Sequence, residues 1–216
     1  MSLTVLEEYI ETGNHQELDA LLNRNPELIS EATSHEISPL LLACYYQKSK
    51  IVEVLLKYTK SITIHECCAA GLTQQVQHMV EQKPDIINEL SSHGFFPLGI
   101  ATHFGHEDIV RILLRHHANP NASSQNGYHV FPLHSALSNG QDTIAKMLIE
   151  AGAMVNVLQS SNISPLHLAA QQGNIEMIII LLENGADIHI ENDLGQSASE
   201  VAAENGFSEI AEILKV

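Results

Sequence analysis

The three cysteines of the chain are the first candidates for reactive chemistry. Cys44 stands alone, and Cys67 and Cys68 are adjacent, so no pair has the CxxC spacing of a thiolate zinc site. An odd number of cysteines gives no disulfide framework and is typical of a reducing compartment. A catalytic thiolate would also need an activating base and an exposed setting, and the sequence indicates neither.

Histidines are the second candidates, since the chain has 13 of them. Four of them lie close together in the sequence: His103, His106, His116 and His117. Such a cluster would be a candidate zinc site if the fold brought the four side chains together in space. His167, inside the tripeptide Pro-Leu-His, raises the separate question of a reactive histidine. The answer to both depends on the elements that position these residues.

Composition narrows the classes of partner. The chain has 216 residues, 44% of them hydrophobic, and a formal net charge of −16. Residues 1–36 and residues 183–216 each hold eight acids and one base, whereas residues 37–182 hold ten acids and eight bases. Nucleic-acid binding needs clustered Lys and Arg, and the ten basic residues form no such cluster. We therefore expect no nucleic-acid partner.

The sequence also indicates where the protein resides. It has no run of eighteen or more apolar residues. The opening segment, MSLTVLEEYIETG, lacks the basic flank and the apolar stretch of a secretory signal. We therefore expect a cytoplasmic protein without a membrane partner, and we expect it to be a monomer.

Internal repeats dominate the sequence. A ten-residue frame recurs in SPLLLACYYQ, FPLGIATHFG, FPLHSALSNG and SPLHLAAQQG, with three weaker copies, and the frames begin near residues 4, 38, 62, 96, 131, 164 and 197. A segment with apolar residues at helical spacing, such as IVEVLL or MIIILL, follows each frame. Proline suits the first turn of a helix and glycine suits its left-handed end, so each repeat predicts a helical hairpin.

The segments between repeats predict protruding turns, which we call fingers and number by the repeat that they precede. Successive frames are 34, 24, 34, 35, 33 and 33 residues apart, so we predict a missing finger near residues 58–61. The finger SSQNGYHVFPL is two residues longer than the 33-residue spacing allows and should protrude further. A shift of 58 residues aligns RNPELISEATSHEISPL with QKPDIINELSSHGFFPL, which indicates that the first four repeats are a duplicated pair.

A unit of about 33 residues with the pattern T-P-L-H-x-A, two helices and a β-turn finger is that of ankyrin repeats, and this sequence resembles that family along nearly its whole length. The best single copy runs from Ser164 to Ile188. The resemblance implies an all-α solenoid of about seven helical pairs, forming one domain over residues 1–216 with the first and last repeats as polar caps. It also implies a concave side, lined by finger tips and first helices, that binds other proteins.

The repeat frame assigns structural positions to the candidate reactive residues. Residues of many types share the slot of His167, and in the ankyrin family this histidine makes local hydrogen bonds that tie adjacent repeats, with Ser164 as a partner here. His134 follows Phe131 rather than a hydroxyl residue and so cannot make the same contact. The cysteines fill slots that hold Ala169 and Ala170 in the best copy, where only small side chains fit.

The same frame separates the four clustered histidines. His103 ends a first helix, His106 opens a second helix, and His116 and His117 begin a finger. We therefore predict no metal, and since no GxGxxG or GxxxxGK loop is present we predict no cofactor and no enzymatic activity.

We predict that the chain is a non-catalytic module that binds a partner protein on its concave groove. The candidate binding residues project from the finger tips and from the ends of the first helices; they are Tyr45, Tyr46, His93, Phe95, His103, Phe104, Tyr128, His129, Ser138, Asn139, Gln159, Ser161, Gln171 and Gln172. Aromatic residues gather in repeats two to five, and such side chains are common binding hot spots.

Three alternatives to this simple binding role stay open. The module could inhibit a partner enzyme by covering its active site. An enzyme that uses the His and Cys residues would need a cluster outside the repeat slots. The chain could itself be a substrate, because Asn156 in AGAMVNV resembles the finger asparagine that a hydroxylase modifies, although Met154 replaces the usual acid.

Overall fold

The computed structural model describes residues 2–215, and over this range it contains fourteen α-helices and no β-strand. The helices are α1 (Ser2–Thr12), α2 (His15–Arg24), α3 (Pro39–Tyr45), α4 (Ser49–Tyr58), α5 (Ile64–Ala70), α6 (Thr73–Gln82), α7 (Pro97–His103), α8 (Glu107–Arg115), α9 (Pro132–Ser138), α10 (Asp142–Glu150), α11 (Pro165–Gln171), α12 (Ile175–Glu183), α13 (Ala198–Glu204) and α14 (Ser208–Ile213). One helical pair lies in each of the seven frames, which confirms the predicted all-α repeat architecture.

Capping residues set the start and the end of the short first helices. At α11 the Ser164 hydroxyl accepts the backbone N–H of His167 at 3.4 Å, Pro165 occupies the first turn, and Gly173 follows the helix with φ +67°. At α5, Thr63 and Glu66 form a reciprocal capping box. Helices of seven residues are unstable alone, so their stability comes from packing against neighbouring repeats.

The second helices are amphipathic. In α8 the residues Ile109, Val110 and Leu113 are buried on one face. Glu107 is exposed in the first turn and Arg115 in the last, which suits the helix dipole. Each second helix therefore closes its repeat with one apolar face and leaves a polar face to solvent.

The connections between repeats match the predicted spacing. Residues 59–63 alone join α4 to α5, so the predicted missing finger is confirmed. The connections before α3 and before α7 contain short 3₁₀ helices at Pro26–Ser30 and Pro84–Asn88, where the sequence analysis expected extended turns. A proline opens each of them and fixes a helical φ. Their separation of 58 residues agrees with the duplicated pair.

Residues 1–75 form the first of two compact units. Within it α3 packs against both α1 and α5, and α2 packs against α4. The core consists of apolar side chains that these helices and the first 3₁₀ helix bury: Leu6, Ile10, Leu18, Leu22, Leu28, Leu40, Leu42, Ala43, Ile51, Val54 and Leu55.

Residues 76–216 form the second compact unit, which begins within α6. Here α7, α9, α11 and α13 pack one on the next in sequence order, and α8 packs against α10. Ala101, Ala136, Ala169 and Ala202 are at most 1% exposed, so small side chains lie where successive first helices meet. The assignment of residues 1–216 to a single domain stays a prediction.

Cysteine fills the small-residue slots of the first compact unit. Cys67 and Cys68 are fully buried and Cys44 is 6% exposed, as the repeat frame predicts. We expect Cys67→Leu to lower the free energy of unfolding by about 1–3 kcal/mol, because the added volume has no space in a close-packed layer. The urea midpoint measures this, with Cys67→Ala as the smaller control. An unchanged midpoint for the leucine variant would show that the packing face is misplaced.

Candidate protein-interaction surface

His167 is a structural residue. It is 2% exposed, and its Nε2 lies 2.9 Å from the carbonyl oxygen of Gln196. Because a carbonyl only accepts, Nε2 carries the proton, and Nδ1 accepts from the Ser164 hydroxyl at 2.7 Å and from the Ser164 N–H at 3.3 Å. The side chain thus ties α11 to the finger that precedes α13, which confirms the role that the repeat frame predicts.

His134 makes only part of this arrangement. Its Nε2 donates to the carbonyl oxygen of Ile163 at 2.8 Å, while its buried Nδ1 has no hydrogen-bond partner among the described residues. The residue at the capping position is Phe131, whose ring centroid lies 5.7 Å from the imidazole and supplies no hydroxyl. The predicted difference between His134 and His167 is therefore confirmed.

Burial lowers the pKa of His134 to about 4, and the bond to Ile163 offsets only part of that effect. In the unfolded chain this histidine takes up a proton near pH 6.5, so between pH 6.5 and 4 the unfolded state binds more protons. The contribution of neutral His134 to the free energy of unfolding is fully present above pH 6.5. On acidification below that pH, we expect this contribution to fall by at most about 1.4 kcal/mol per pH unit.

Urea midpoints at pH 7 and pH 5 test this expectation. His134→Gln keeps an N–H donor for Ile163 but does not titrate, so its midpoint should fall less than that of the wild-type chain. Equal losses in both proteins would contradict the assignment.

The cysteines are not activated. Burial, with a smaller contribution from the Glu66 carboxylate, raises the pKa of the Cys44 and Cys67 thiols to about 12. The pKa of the Cys68 thiol is also raised by burial. A thiolate is the reactive form, so these three side chains are packing residues.

The histidines considered as zinc ligands lie where the repeat frame places them. His103 ends α7, His106 precedes α8, and His116 follows it. Within residues 2–215, no group of three or more His, Cys, Asp or Glu side chains is placed to hold a metal ion.

Two of the predicted binding residues lie in the first compact unit, at the end of α3. Tyr45 is 45% exposed and Tyr46 is 39% exposed. The Tyr46 hydroxyl donates to the Glu11 carboxylate at 3.0 Å, and this bond raises the pKa of the tyrosine. Tyr46 is therefore held in place by α1, with part of its ring open to solvent.

In the second compact unit, His93 and Phe95 line one open cavity of about 540 Å³. Its other lining residues come from the same finger and from the next one: Leu90, Ser91, Ser92, Gly94, Gln125 and Asn126. None of these side chains is charged. The sequence analysis missed Gln125 and Asn126, whose place in the cavity results from the pairing of two fingers.

That pairing depends on Gly94. Its carbonyl oxygen accepts the N–H of Gln125 at 2.7 Å, and its φ is +76°. A Cβ at Gly94 would lie only 2.9–3.1 Å from backbone atoms of Gln125 and Asn126. Only glycine allows the two fingers to touch in this way.

The end of α7 carries His103, which is exposed, and Phe104, which is half-buried. The Phe104 ring meets the His103 ring edge-on at 5.0 Å and stacks on the His106 ring at 6.4 Å. Asn139, predicted to contact a partner, donates its side-chain N–H to the His103 carbonyl at 3.2 Å. Phe104 and Asn139 thus contribute to the framework as well as to the surface.

Gln172 also has a framework role. Its side-chain amide donates to the carbonyl oxygens of Leu137 and Ser138, at 2.6 and 3.2 Å, at the end of α9. Ser138 and Gln171 are exposed beside it. The sequence analysis missed these side-chain bonds because they join neighbouring repeats.

Tyr128 is the most exposed aromatic candidate, at 65%. It follows Gly127, whose φ is +88°, and precedes His129, an exposed residue with a φ of +51°. The Tyr128 carbonyl oxygen accepts the Ser160 hydroxyl at 3.0 Å, so the longer finger contacts the next finger through its backbone. Its phenol ring projects into solvent.

The remaining candidates lie in the finger before α11. Gln159 is half-buried, and its N–H donates to the Ile163 carbonyl at 3.1 Å. Ser161 is exposed with a φ of +66°, and its carbonyl oxygen accepts the Asp193 N–H at 3.1 Å. Their backbones shape the finger, whereas their side chains face outward to different degrees.

Asn156 has a structural use that bears on the substrate alternative. Its Nδ2 donates to the Gly185 carbonyl at 2.9 Å, and its Oδ1 accepts the Asp187 N–H at 2.8 Å. Asn121 makes the equivalent bonds one repeat earlier, to the Gly152 carbonyl and the Met154 N–H. These asparagines join successive fingers.

Several exposed apolar side chains were not among the predicted binding residues. They are Leu90, Met154, Leu158, Ile175, Ile179, Leu194 and Ile213. Leu194, at the tip of the last finger, is 82% exposed. Ile175 and Ile179 lie on α12, whose apolar residues the sequence analysis used only to predict a second helix.

None of the helices within residues 2–215 combines the length and the apolar character needed to cross a membrane. In each compact unit, exposed polar and aromatic side chains lie on fingers and at helix ends, over a hydrogen-bonded framework.

Similarity to known proteins supports the repeat assignment. The family model described as "Ankyrin repeats (3 copies)" matches residues 64–159 and 155–215. The chain is 35% identical over 147 residues to the rat (Rattus norvegicus) protein "Ankyrin repeat and SAM domain-containing protein 6", which covers 68% of the chain and 14% of that relative. The mouse (Mus musculus) protein of the same name gives the same values.

A spider toxin is also similar. "Alpha-latrocrustotoxin-Lt1a" of Latrodectus tredecimguttatus is 30% identical over 150 residues, which is 60% of the chain and 10% of the toxin. The chain therefore spans only about a tenth to a seventh of the length of these relatives. The family match covers well over half of the chain and coincides with the helical pairs described above, so this chain belongs to the ankyrin-repeat family.

Proposed function

We propose that this chain is a non-catalytic module that binds a partner protein through its finger tips and the ends of its first helices. Ankyrin repeats generally mediate protein–protein interactions, and the family is generally non-enzymatic. The observation that carries the proposal is the 65% exposure of Tyr128 at the tip of the longer finger, which contacts its neighbour through backbone atoms.

The framework supports binding because it is ordered in advance. Side-chain bonds such as His167 to Gln196 and Gln172 to Leu137 fix each repeat against the next. A preordered surface loses little conformational entropy when it binds, so a few aromatic contacts give useful affinity. Tyrosine supplies large contact area with few rotatable bonds.

The cavity beside His93 and Phe95 gives this surface a recess. Its lining contains no Asp, Glu, Lys or Arg, in a chain whose net charge is −16. Together with the nearly neutral segment 37–182, this favours a contact dominated by apolar and hydrogen-bonding groups. The acidic segments 1–36 and 183–216 would then act mainly on the association rate.

Capture from cells tests the proposal. The wild-type chain, a Tyr128→Ala variant and an Ile179→Ala control on the second helix α12 serve as parallel baits, followed by mass spectrometry. Proteins held by the wild type and the control but lost from the Tyr128 variant are the expected partners. A set of captured proteins that is identical for all three baits would contradict this surface.

The inhibitory alternative needs one further measurement. If the captured partner is an enzyme, its activity is measured with and without the wild-type chain. Inhibition that the Tyr128→Ala variant loses would assign the inhibitory role, whereas unchanged activity would assign a scaffold role. We place the chain in the cytoplasm, which is supported by its three free, buried cysteines.

A further inference from the structure

Residues 124–130, which we call finger five, form a closed loop. The Ser124 N–H donates to the Val130 carbonyl at 2.9 Å, and the Val130 N–H donates to the Ser124 hydroxyl at 3.0 Å. Residues 192–196, which we call finger seven, are closed by the same two bonds: the Asn192 N–H to the Gln196 carbonyl at 2.9 Å, and the Gln196 N–H to the Asn192 side-chain oxygen at 3.0 Å. The two fingers form a matched pair.

The match extends to the contact with the preceding finger. In finger five the Gln125 N–H donates to the Gly94 carbonyl at 2.7 Å, and in finger seven the Asp193 N–H donates to the Ser161 carbonyl at 3.1 Å. Finger five differs by its two additional residues, which leave Tyr128 and His129 exposed beyond the closing bonds. The Tyr128 carbonyl also accepts the Ser160 hydroxyl at 3.0 Å, which joins finger five to the next finger and not to a helix.

The main difference between the two fingers is the side-chain hydrogen bond, which we call the tie, from the preceding first helix to the carbonyl that closes the finger. His167, at the third position of α11, donates to the carbonyl that closes finger seven, at 2.9 Å from Gln196. His134, at the third position of α9, does the same for the next finger at Ile163. The third position of α7 is Gly99, which has no side chain to donate to the corresponding carbonyl, that of Val130.

The place of the missing side chain is open. A Cβ built at Gly99 meets no atom within 4 Å, and the residue has no left-handed φ that would require glycine. At the other end of the finger, Phe131 precedes α9 without a side-chain capping bond, whereas Ser164 and Ser197 both cap their helices. Finger five therefore lacks the side-chain hydrogen bond to the preceding first helix, α7, and the side-chain cap on the following one, α9, whereas finger seven has both bonds.

We propose that finger five moves relative to α7 and acts as an adjustable wall of the cavity that Gln125 and Asn126 line. Its movement changes the width of that cavity and the direction of Tyr128 together, because both lie on the same closed loop. The use of this movement in recognition rests on the proposed binding function. The movement itself is a property of the free chain and is measured without a partner.

Amide hydrogen exchange of the free chain, residue by residue, tests the proposal. The matched amides are those of Ser124, Gln125 and Val130 in finger five and of Asn192, Asp193 and Gln196 in finger seven. After correction for intrinsic rates, we expect the finger-five amides to exchange at least about fivefold faster, since one hydrogen bond to the scaffold is missing. Equal corrected rates would overturn the proposal.

Two variants at Gly99 identify the cause. Gly99→His restores the donor to the Val130 carbonyl and should slow the finger-five amides at least about fivefold. Gly99→Ala also replaces glycine by a residue of higher helix propensity but adds no imidazole, so it should leave the exchange rates of the finger-five amides near the wild-type values. Equal slowing by both variants would overturn the proposal, because helix propensity alone would then explain it.

A reciprocal variant tests the same hydrogen bond in finger seven, so the proposal can be tested even if Gly99→His does not fold. His167→Ala removes the tie of finger seven, so Asn192, Asp193 and Gln196 should exchange faster while finger five is unchanged. Unaltered exchange in finger seven would contradict the role of the tie. No arm of the experiment contains a partner, so a failure of the binding proposal does not affect its outcome.

Discussion

Replacement of Gly173 by alanine is expected to lower the free energy of unfolding by about 2–4 kcal/mol. Gly173 follows α11 with a φ of +67°, and a Cβ there would lie 2.3 Å from the ring of Phe207. The variant combines a left-handed backbone that alanine disfavours with an overlap that the neighbouring repeat must relieve. The urea midpoint of the purified chain measures the loss.

Gly185→Ala is the matched control. Gly185 has a φ of +84°, and no atom lies within 4 Å of its added Cβ, so this variant should lose only the backbone part, about 1 kcal/mol. A Phe207→Ala change should cost less in the Gly173→Ala background than in the wild-type chain, since removal of the ring there also relieves its overlap with the added Cβ. Equal losses in the two glycine variants would show that the ring contact does not matter.

The Gly173 contact is an example of how repeats are joined. At two places in the second compact unit, the residue before the second helix of one repeat covers the glycine that ends the first helix of the repeat before it. Phe207 covers Gly173, and Gln141 lies 3.0 Å from the Cβ position of Gly105. The frame predicts a glycine at these positions for its backbone, and the structure adds a packing reason at Gly173.

Much of the fold could be predicted because it is periodic. Proline at the first turn, glycine after the last turn and apolar residues at helical spacing recur in the same order. These local signals therefore reinforce one another across seven copies. The 24-residue spacing between the frames at residues 38 and 62 predicted the missing finger for the same reason, because it departs from a regular period. Residues such as Cys67 were placed correctly because their slot, and not their chemistry, decides their surroundings.

The details of the surface were less predictable because they depend on contacts between repeats. Gln172 and Asn139 have the polar character of binding residues, but their amides reach carbonyls of the preceding repeat. The cavity next to Phe95 exists because Gly94 lets finger five approach. Such pairings depend on tertiary geometry, for which the sequence carries no periodic signal.

These contacts also decide which side chains best test binding. Tyr46 is bonded to Glu11, and Phe104 packs between His103 and His106, so their removal would disturb the framework as well as the surface. Tyr128 is 65% exposed on a finger. It is therefore the aromatic candidate whose truncation should least affect folding.

A Tyr128→Ala variant is expected to bind the captured partner at least about thirtyfold more weakly than the wild-type chain, since truncation of one aromatic hot spot commonly costs about 2 kcal/mol or more. Its helical circular dichroism and urea midpoint should stay close to the wild-type values. Calorimetric titration of the purified partner measures the affinity. Ile179→Ala, which truncates a 48% exposed side chain on the second helix α12 and so outside the proposed surface, should leave the affinity unchanged.

Charge reversal separates this surface from an acidic one. Glu209→Lys and Glu212→Lys, in a segment that holds eight acids and one base, should alter the salt dependence of the association rate and leave the affinity nearly constant. Near-complete loss of binding on charge reversal, with full affinity in the Tyr128→Ala variant, would mean that a basic partner is held by the acidic segment. In that case the aromatic surface would have no part in recognition.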